Sequence, residues 1–340
     1  MVKRSLVIVL VGLVCVALGA TASLAQVEER TFSLKADGLV SVENSAGNTT
    51  IHAWEKEEVR MVTTRKGRGS DKIVIIIDAS EDYLKVETEY PRFSWFQRAR
   101  VNYELWVPEG ATVKAESSSG DLFIEGQRSD VRAQSSSGDI ELKDIWGEID
   151  VSASSGSIRT EDSKGDISAR TSSGTIRILG VEESERPNDI RVHASSGSVT
   201  LKDIVGDIDA ETSSGKIDAE NVEGIITARA SSGSIKILEA RGGVKTLRTS
   251  SGEIWVELEE IYEGILEMSF QSTSGDINLS IPSDTGADID ISTTSGRITT
   301  DFAVTVEGTM ERNEFRGTIG EGGIFIKLRA TSGDVTLGKM

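Results

Sequence analysis

The chain has few of the side chains on which metal and redox sites depend. Its 340 residues include one cysteine, Cys15, and two histidines, His52 and His193. A single cysteine cannot form an intrachain disulfide or a cysteine-based zinc site. The histidines lie in separate regions without a local ligand pattern, and His193 falls in an outward column that elsewhere holds Arg and Glu. We therefore expect no metal, no cofactor and no histidine-based catalysis.

Positive charge and aromatic side chains are also scarce. The sequence has 37 Lys and Arg against 55 Asp and Glu, a formal net charge of −18, and only 5% of its residues are aromatic. Such an acidic chain is repelled by nucleic acid and by anionic membranes. We expect neither of them as a general partner.

Only one long hydrophobic run is present, at residues 6–20. Lys3 and Arg4 precede it and small residues follow as far as Ala25, which is the pattern of a secretory signal peptide. The run is short for a membrane span, although an uncleaved anchor is the alternative. Cys15 would be removed with this segment. We expect an exported protein, periplasmic or at the cell surface, with no transmembrane span in the mature chain.

What the chain does have is a Ser-Ser-Gly-x-Ile phrase that returns eleven times, counting the copies with Thr for the first Ser or with Leu or Val for Ile. In its cleanest stretches the interval is eighteen residues. Regular recurrence indicates one structural unit stacked many times. The glycines of the phrase are Gly120, Gly138, Gly156, Gly174, Gly197, Gly215, Gly233, Gly252, Gly275, Gly296 and Gly333.

Within each repeat, apolar and polar residues alternate, as at Ile140 and Leu142 and again at Ile149 and Val151. Alternation is typical of a strand with one buried face, and a second glycine nine residues after the first divides the repeat into two such strands. The fold class predicted is all-β: a single-stranded β-solenoid, or β-helix, with about 18 residues per rung. We expect a right-handed coil by analogy. Glycine would serve close backbone approach or positive φ, and the paired serines would bond neighbouring turn amides.

The organisation predicted is a signal peptide at 1–25, an N-terminal β region at 26–110 that caps the stack, and the repeat solenoid at 111–340. Segments 302–306 and 313–320 would form a C-terminal hairpin cap. Three departures from the repeat, at 182–188, 259–264 and 282–286, predict outward loops. Insertions of this kind often form the binding face of a repeat protein.

Four features together resemble the bacterial putative-adhesin family of β-strand-repeat proteins, a domain of unknown function. They are the segments 39–44, with Gly47 and Ile51 after them, 103–108 and 317–323, and the Ser-Gly-Asp-Ile repeat between them. The resemblance covers nearly the whole mature chain. It implies an exported β-helical protein and carries no catalytic residues with it.

Three patterns suggest chemistry, and each also has a structural interpretation. Asp121 and Asp139 stand on neighbouring rungs and could act as the acid and nucleophile of a glycan-active enzyme, but their column continues with varied polar residues. A second column could supply calcium ligands, although Asp, Asn and Gly also suit tight turns; it holds Asp144, Asp162, Asp203 and Asn221, with Gly126 and Gly180 in register. Ser213 and Lys216 match the Ser-x-x-Lys spacing of acyl enzymes, yet they lie on a repeat turn, which favours coincidence.

The segment at residues 90–100 differs from ordinary acidic surface because it combines three large aromatic side chains with three arginines. These are the residue types enriched at binding hot spots. The partner-binding residues predicted are Arg92, Phe93, Trp95, Phe96, Arg98 and Arg100. The alternative is that the aromatic side chains fold back and cap the first rung.

These patterns favour an exported, non-enzymatic β-solenoid scaffold, an adhesin or envelope interaction protein, that binds an envelope protein or a glycan. A glycan-active enzyme on a β-helix and a self-assembling structural protein are the two alternatives.

Overall fold

A computed structural model describes residues 26–90, 99–306 and 313–340. In these residues the secondary structure is twenty-nine β-strands and one turn of 3-10 helix, Ser70–Lys72. No helix in the same ranges is long and apolar enough to cross a membrane. The chain divides into two compact units, the first ending at Ser163 and the second beginning at Lys164.

The first unit contains the strands before this boundary. The last of them, β13, ends at Lys164, the first residue of the second unit. Their bounds are β1 Gln26–Ser33, β2 Leu39–Ala46, β3 Thr49–Trp54, β4 Glu58–Lys66, β5 Val74–Ala79, β6 Tyr83–Glu89, β7 Arg100–Pro108, β8 Thr112–Ser119, β9 Leu122–Glu125, β10 Val131–Ser135, β11 Ile140–Trp146, β12 Ile149–Ala153 and β13 Ile158–Lys164.

The second unit contains the remaining strands. Their bounds are β14 Ile167–Thr171, β15 Ile176–Val181, β16 Asp189–Ala194, β17 Val199–Val205, β18 Asp207–Thr212, β19 Ile217–Ser232, β20 Ile235–Ser251, β21 Ile254–Ile261, β22 Glu267–Ser274, β23 Ile277–Ile281, β24 Ala287–Ser295, β25 Ile298–Thr300, β26 Val304–Val306, β27 Glu314–Ile319, β28 Ile324–Ser332 and β29 Val335–Lys339.

Both units are β-solenoids built from parallel strands, as the repeat predicts. In the first unit β8, β10 and β12 pair in parallel, and Val131 lies opposite Val113 on one side and Ile149 on the other. In the second unit β16, β18 and β19 continue the same pattern, with Ile208 opposite Ile226. Equivalent residues therefore stack one rung apart, which confirms the solenoid prediction.

The core is the stacked inward face of the strands. Ile140, Leu142, Ile149 and Val151 are each at most 1% exposed, so the alternation of the sequence corresponds to burial. Stacking buries each apolar column against the rungs beside it, and this supplies a core although each rung is thin.

Close approach of the backbone explains the repeated glycine. A Cβ atom placed on Gly138 would lie 2.0 Å from the carbonyl oxygen of Gly120, which no packed side chain can occupy. The hydroxyl groups that bond this turn are not those of the paired serines. They belong to the small residue three positions before the glycine, as where Thr212 donates to the carbonyl of Gly197 at 2.9 Å. That position is buried, and its hydroxyl must therefore find a partner inside the stack.

The N-terminal part of the first unit forms a β region that the sequence anticipates only in part. The predicted strands at 39–43, 50–54, 73–77, 83–86 and 101–107 correspond to β2, β3, β5, β6 and β7. The prediction missed β1 and β4, which pair antiparallel with each other, while β4 also pairs antiparallel with β7.

At the C-terminal end of the second unit, β26 and β27 pair antiparallel, which confirms the predicted hairpin. The last strands of the chain are not the last of the stack. Strand β28 lies between β22 and β24, and β29 lies between β23 and β25. The first unit mirrors this order, because β2 lies between β6 and β8 and β3 lies between β7 and β9. Strands β28 and β29, like β2 and β3, are therefore paired on both sides, which leaves them no open edge.

Candidate functional site

Most of the predicted partner segment lies outside the described residues: Arg92, Phe93, Trp95, Phe96 and Arg98. Arg100 is described and begins β7 with an exposed side chain. Tyr90, the first residue of the segment, is described and half-buried. Its hydroxyl donates a hydrogen bond to the carbonyl oxygen of Ala46 at 2.7 Å.

The stacked acids Asp121 and Asp139 bond the backbone of the next rung. Oδ1 of Asp121 accepts from the N–H of Asp139 at 3.1 Å, and Oδ1 of Asp139 accepts from the N–H of Ser157 at 2.8 Å. In the second unit Asp276 and Asp334 make the same contact to the rung above each of them. This column satisfies turn amides that have no strand partner, a structural role that accounts for its acids.

The second acidic column occupies left-handed turn positions. Such backbone favours glycine and, among other residues, Asn and Asp. The positions with positive φ are Gly126, Asp144, Asp162, Gly180, Asp203, Asn221 and Glu239. The left-handed backbone thus explains why Gly, Asp and Asn occupy nearly all of these positions. The side chains also bond along the stack, as where Asn221 donates to Asp203 at 2.6 Å.

An aromatic ladder lies on the outward face of the first unit, and the sequence interpretation did not foresee it. His52 on β3 stacks on Trp106 of β7, with ring centroids 5.4 Å apart and planes inclined by 26°. The Arg60 guanidinium covers the Trp106 ring at 4.5 Å, and Phe123 lies 6.2 Å from His52 on its other side. We call Arg60, Trp106, His52 and Phe123 the aromatic ladder.

Carboxylates complete the contacts of the ladder. His52 Nδ1 lies 2.6 Å from Glu125 Oε1, and its Nε2 lies 3.7 Å from Glu104 Oε1. Arg60 bonds both oxygens of Glu29, at 2.7 and 3.3 Å. Each ring has a neighbour along the stack, and Arg60 and His52 each lie beside a carboxylate. The faces of Trp106 and His52 are therefore occupied by protein, which makes the ladder a packing feature of the sheet.

The other histidine lies on plain surface. His193 on β16 is 44% exposed, and its Nδ1 is 3.5 Å from Glu211 Oε2. Arg170, Arg191 and Asp209 border the same depression, whose volume is about 100 Å³. It is too small to enclose a ligand.

The larger concavity of the second unit forms where two of the predicted insertions meet. Residues 183–188 form one wall, and Tyr262 of the second insertion contributes to the other. The floor is formed by Gly206, between β17 and β18, and by Gly224 and Ile225 of β19. This cleft has a volume of about 390 Å³. The third insertion, at 282–286, is a turn between β23 and β24 and does not line it.

The first wall of the cleft is tied to the stack by two side chains. Both terminal nitrogens of Arg186 donate to Asp166, at 3.1 and 2.6 Å, and this hydrogen bond lowers the pKa of the Asp166 carboxyl. Asn188 is 1% exposed and donates to the carbonyls of Glu182 and Val205 at 2.8 and 2.7 Å. The wall is therefore held by buried and charge-assisted bonds although it is an inserted loop.

The second wall is positioned by a bond across two rungs. The Tyr262 hydroxyl donates to Glu223 Oε1 at 2.9 Å, and the Tyr262 N–H donates to the carbonyl of Gly242 at 2.8 Å. Partial burial of the phenol, and then the bond to Glu223, raise the pKa of Tyr262. The ring is thus fixed beside a carboxylate at the edge of the cleft.

Comparison with known proteins is consistent with the repeat. The profile of the Toastrack DUF4097 family matches residues 39–237 and again 160–338. No curated protein matches the chain. Solved structures that are similar include a putative cell adhesion protein from Clostridium sporogenes, with 9% identity, a TM-score of 0.24 and coverage of 92% of this chain and 100% of that one. Another is a putative adhesin from Bacteroides fragilis, with 11% identity, a TM-score of 0.23 and coverage of 92% and 97%.

Each profile match spans more than half of the chain, and the two overlap as a repeated unit allows. The chain belongs to the Toastrack DUF4097 family.

Proposed function

We propose that this protein is an exported, non-enzymatic interaction scaffold that binds its partner in the cleft between residues 183–188 and Tyr262. The observation that carries the proposal is the meeting of two insertions at one cleft on an otherwise regular stack. A solenoid repeat needs no insertion for its stability. Loops that are added to it and held in place by buried bonds are typical of a binding surface.

The roles of the stacked acids support a scaffold over a glycan-active enzyme. A retaining glycosidase requires two carboxylates that are free to exchange a proton and to attack the sugar. Asp121 and Asp139 instead accept turn hydrogen bonds with their Oδ1 atoms, a structural role that accounts for both acids. Export is supported by the composition of residues 1–25. The mass of the protein recovered from the envelope would test it, because a cleaved signal peptide removes about 25 residues.

Crosslinking capture from the native envelope tests the binding role. The wild-type protein is compared with a Tyr262→Ala, Ile225→Ser variant that opens the cleft, after both pass a denaturation check. We expect a partner that the wild type captures and the variant loses. Equal capture by the two proteins would contradict binding in the cleft.

A third arm addresses the predicted segment at residues 90–100. A Phe93→Ala, Trp95→Ala, Phe96→Ala variant removes its aromatic side chains and leaves the cleft residues in place. If this variant alone loses the partner, the binding surface is the aromatic segment and the cleft proposal is wrong. If it retains the partner, the segment is not required for binding.

A further inference from the structure

The cleft is lined by more carboxylates than cations. Four of its residues are exposed acids: Glu183, Glu185, Asp207 and Glu223. The one cationic residue among those that line it, Arg186, directs its guanidinium to Asp166. The space between the walls is therefore strongly negative, and a cationic group that enters it is favoured by charge.

Apolar surface lies beside these charges. Ile225 is 36% exposed at the floor, Pro187 is exposed on the first wall, and the ring of Tyr262 borders the second. A methylene chain packs against such surface, while its charged end reaches carboxylates a few ångströms away. An aromatic face next to a carboxylate also attracts an ammonium or guanidinium ion directly.

The regular surface elsewhere on this unit does not combine these features. Its outward acids commonly face a basic side chain on a neighbouring rung, as where Lys202 bonds Glu220 at 2.8 Å and Arg241 bonds Glu259 at 3.0 Å. Charge in those rungs is satisfied within the stack. Glu223 follows that pattern, because it lies opposite Arg241 in the strand register. The cleft departs from it at Glu183 and Glu185, which lie on the inserted loop and border the opening.

We propose that the cleft binds an extended segment of a partner protein through a lysine or arginine side chain of that segment. This inference rests on the proposed function, and it adds the chemistry of the partner to it. The aliphatic part of the side chain lies on Ile225 and Tyr262, and its charged end lies among Glu183, Glu185 and Glu223. The net charge of −18 steers basic segments toward the protein before they dock.

Titration with a defined probe tests this chemistry. The probe is a capped octapeptide of alternating lysine and alanine, and the comparison probes are its glutamate and alanine counterpart and a neutral hexasaccharide. We expect the lysine peptide alone to shift the amide resonances of residues 183–186, 188 and 223–225, with affinity falling as salt rises. Shifts with the hexasaccharide alone would overturn the proposal in favour of a glycan.

Variants separate a specific site from general attraction to an acidic protein. A Glu183→Gln, Glu185→Gln, Glu223→Gln variant should lose at least about tenfold in affinity, since it removes the charges around the opening. A matched control removes the same charge outside the cleft: Glu89→Gln, Glu109→Gln, Glu321→Gln. This control should lose no more than about twofold. Equal losses in the two variants would mean that attraction is nonspecific, and the proposal would be wrong.

Tyr262→Phe and Tyr262→Ala distinguish the ring from its hydroxyl. The phenylalanine variant should keep affinity within about threefold, whereas the alanine variant should lose about fivefold or more because the apolar wall is gone. The envelope capture experiment distinguishes failure of the basic-segment inference from failure of the proposed function. If cleft variants lose the native partner but no lysine peptide binds, only the basic-segment inference fails; if the partner is also retained, the proposed function fails with it.

Discussion

The first and second units carry their outward aromatic side chains in opposite ways. In the first unit, Trp106 lies between Arg60 and His52, so that both of its faces are covered by protein. In the second unit, Tyr262 stands at the edge of a cleft of about 390 Å³. A packing feature differs from a candidate binding site in one respect: side chains of neighbouring rungs already cover the faces of its aromatic ring.

The same contrast holds for the carboxylates. Glu125 and Glu104 approach His52, and Glu29 holds Arg60. In the cleft, Glu183 and Glu185 line an opening. The comparison teaches that on a solenoid, whose surface is a series of cross-strand pairs, binding groups are found where the repeat is interrupted.

Alanine at a stacking glycine should cause the largest loss, because the stack supports the cleft and the ladder alike. A Cβ on Gly197 would lie 1.6 Å from the carbonyl oxygen of Gly174. We expect Gly197→Ala to lower the free energy of unfolding by at least about 3 kcal/mol, measured by urea denaturation. Gly264→Ala is the control: its φ is +93° but its Cβ would meet nothing within 4 Å, which predicts a loss of about 1–2 kcal/mol. Equal losses would contradict the stacking account.

Truncation of the two aromatic side chains should separate stability from binding. Trp106→Ala removes the contacts of the Trp106 ring with His52 and with the Arg60 guanidinium. We expect it to lower the free energy of unfolding by about 2 kcal/mol and to leave the affinity for the lysine peptide unchanged. Tyr262→Ala should change stability by less than about 1 kcal/mol and reduce binding. Denaturation and peptide titration of the same two variants measure both quantities. If Trp106→Ala weakened binding and left stability intact, the roles assigned to the two surfaces would be reversed.

The turn ladder should respond to loss of the acceptor and not to loss of charge. Asp139→Ala leaves the Ser157 amide without its 2.8 Å partner, and we expect a loss of about 1 kcal/mol in unfolding free energy. Asp139→Asn keeps an oxygen acceptor, as Asn48 does for the Asp121 N–H at 3.2 Å, and should be nearly neutral. A loss in the asparagine variant as large as in the alanine variant would show that charge is the important property.

Acid should release the first wall of the cleft, with the smallest effect on the whole protein. The pKa of Asp166 is lowered by its bond to Arg186, so the carboxylate form is favoured in the folded state. This contribution is present above the ordinary Asp pKa of about 4 and is lost as pH falls through the lower folded value. The difference in stability between wild type and Asp166→Asn should therefore shrink toward zero as pH falls. A difference that is constant with pH would contradict this.

The sequence predicts the regular parts of the fold well, because the same alternation of apolar and polar residues and the same interval between glycines recur along the chain. Alternation at Ile140 and Leu142 assigns the buried face, and the interval between glycines assigns which residues lie opposite each other. The order of the terminal rungs does not follow from it. Strand β28 enters between β22 and β24, and a local pattern cannot indicate that the chain returns to an earlier position.

The candidate site was predictable in part. The insertions at 182–188 and 259–264 both lengthen the same turn of the repeat, between its first and second strands, so the spacing alone places them at one edge of the stack. The bond between Tyr262 and Glu223 spans 39 residues and depends on loop conformation. The aromatic ladder was missed because its members His52 and Trp106 lie on β3 and β7, outside the repeat whose register could be counted.

Photocrosslinking in the envelope tests most directly the claim that this solenoid binds at its cleft. A photoreactive phenylalanine analogue is placed at Ile225 in the cleft or at Phe123 in the aromatic ladder, and both proteins are illuminated in cells. The account predicts a discrete adduct from position 225, competed by the lysine peptide, and none from position 123. An adduct from position 123 without one from position 225 would contradict it.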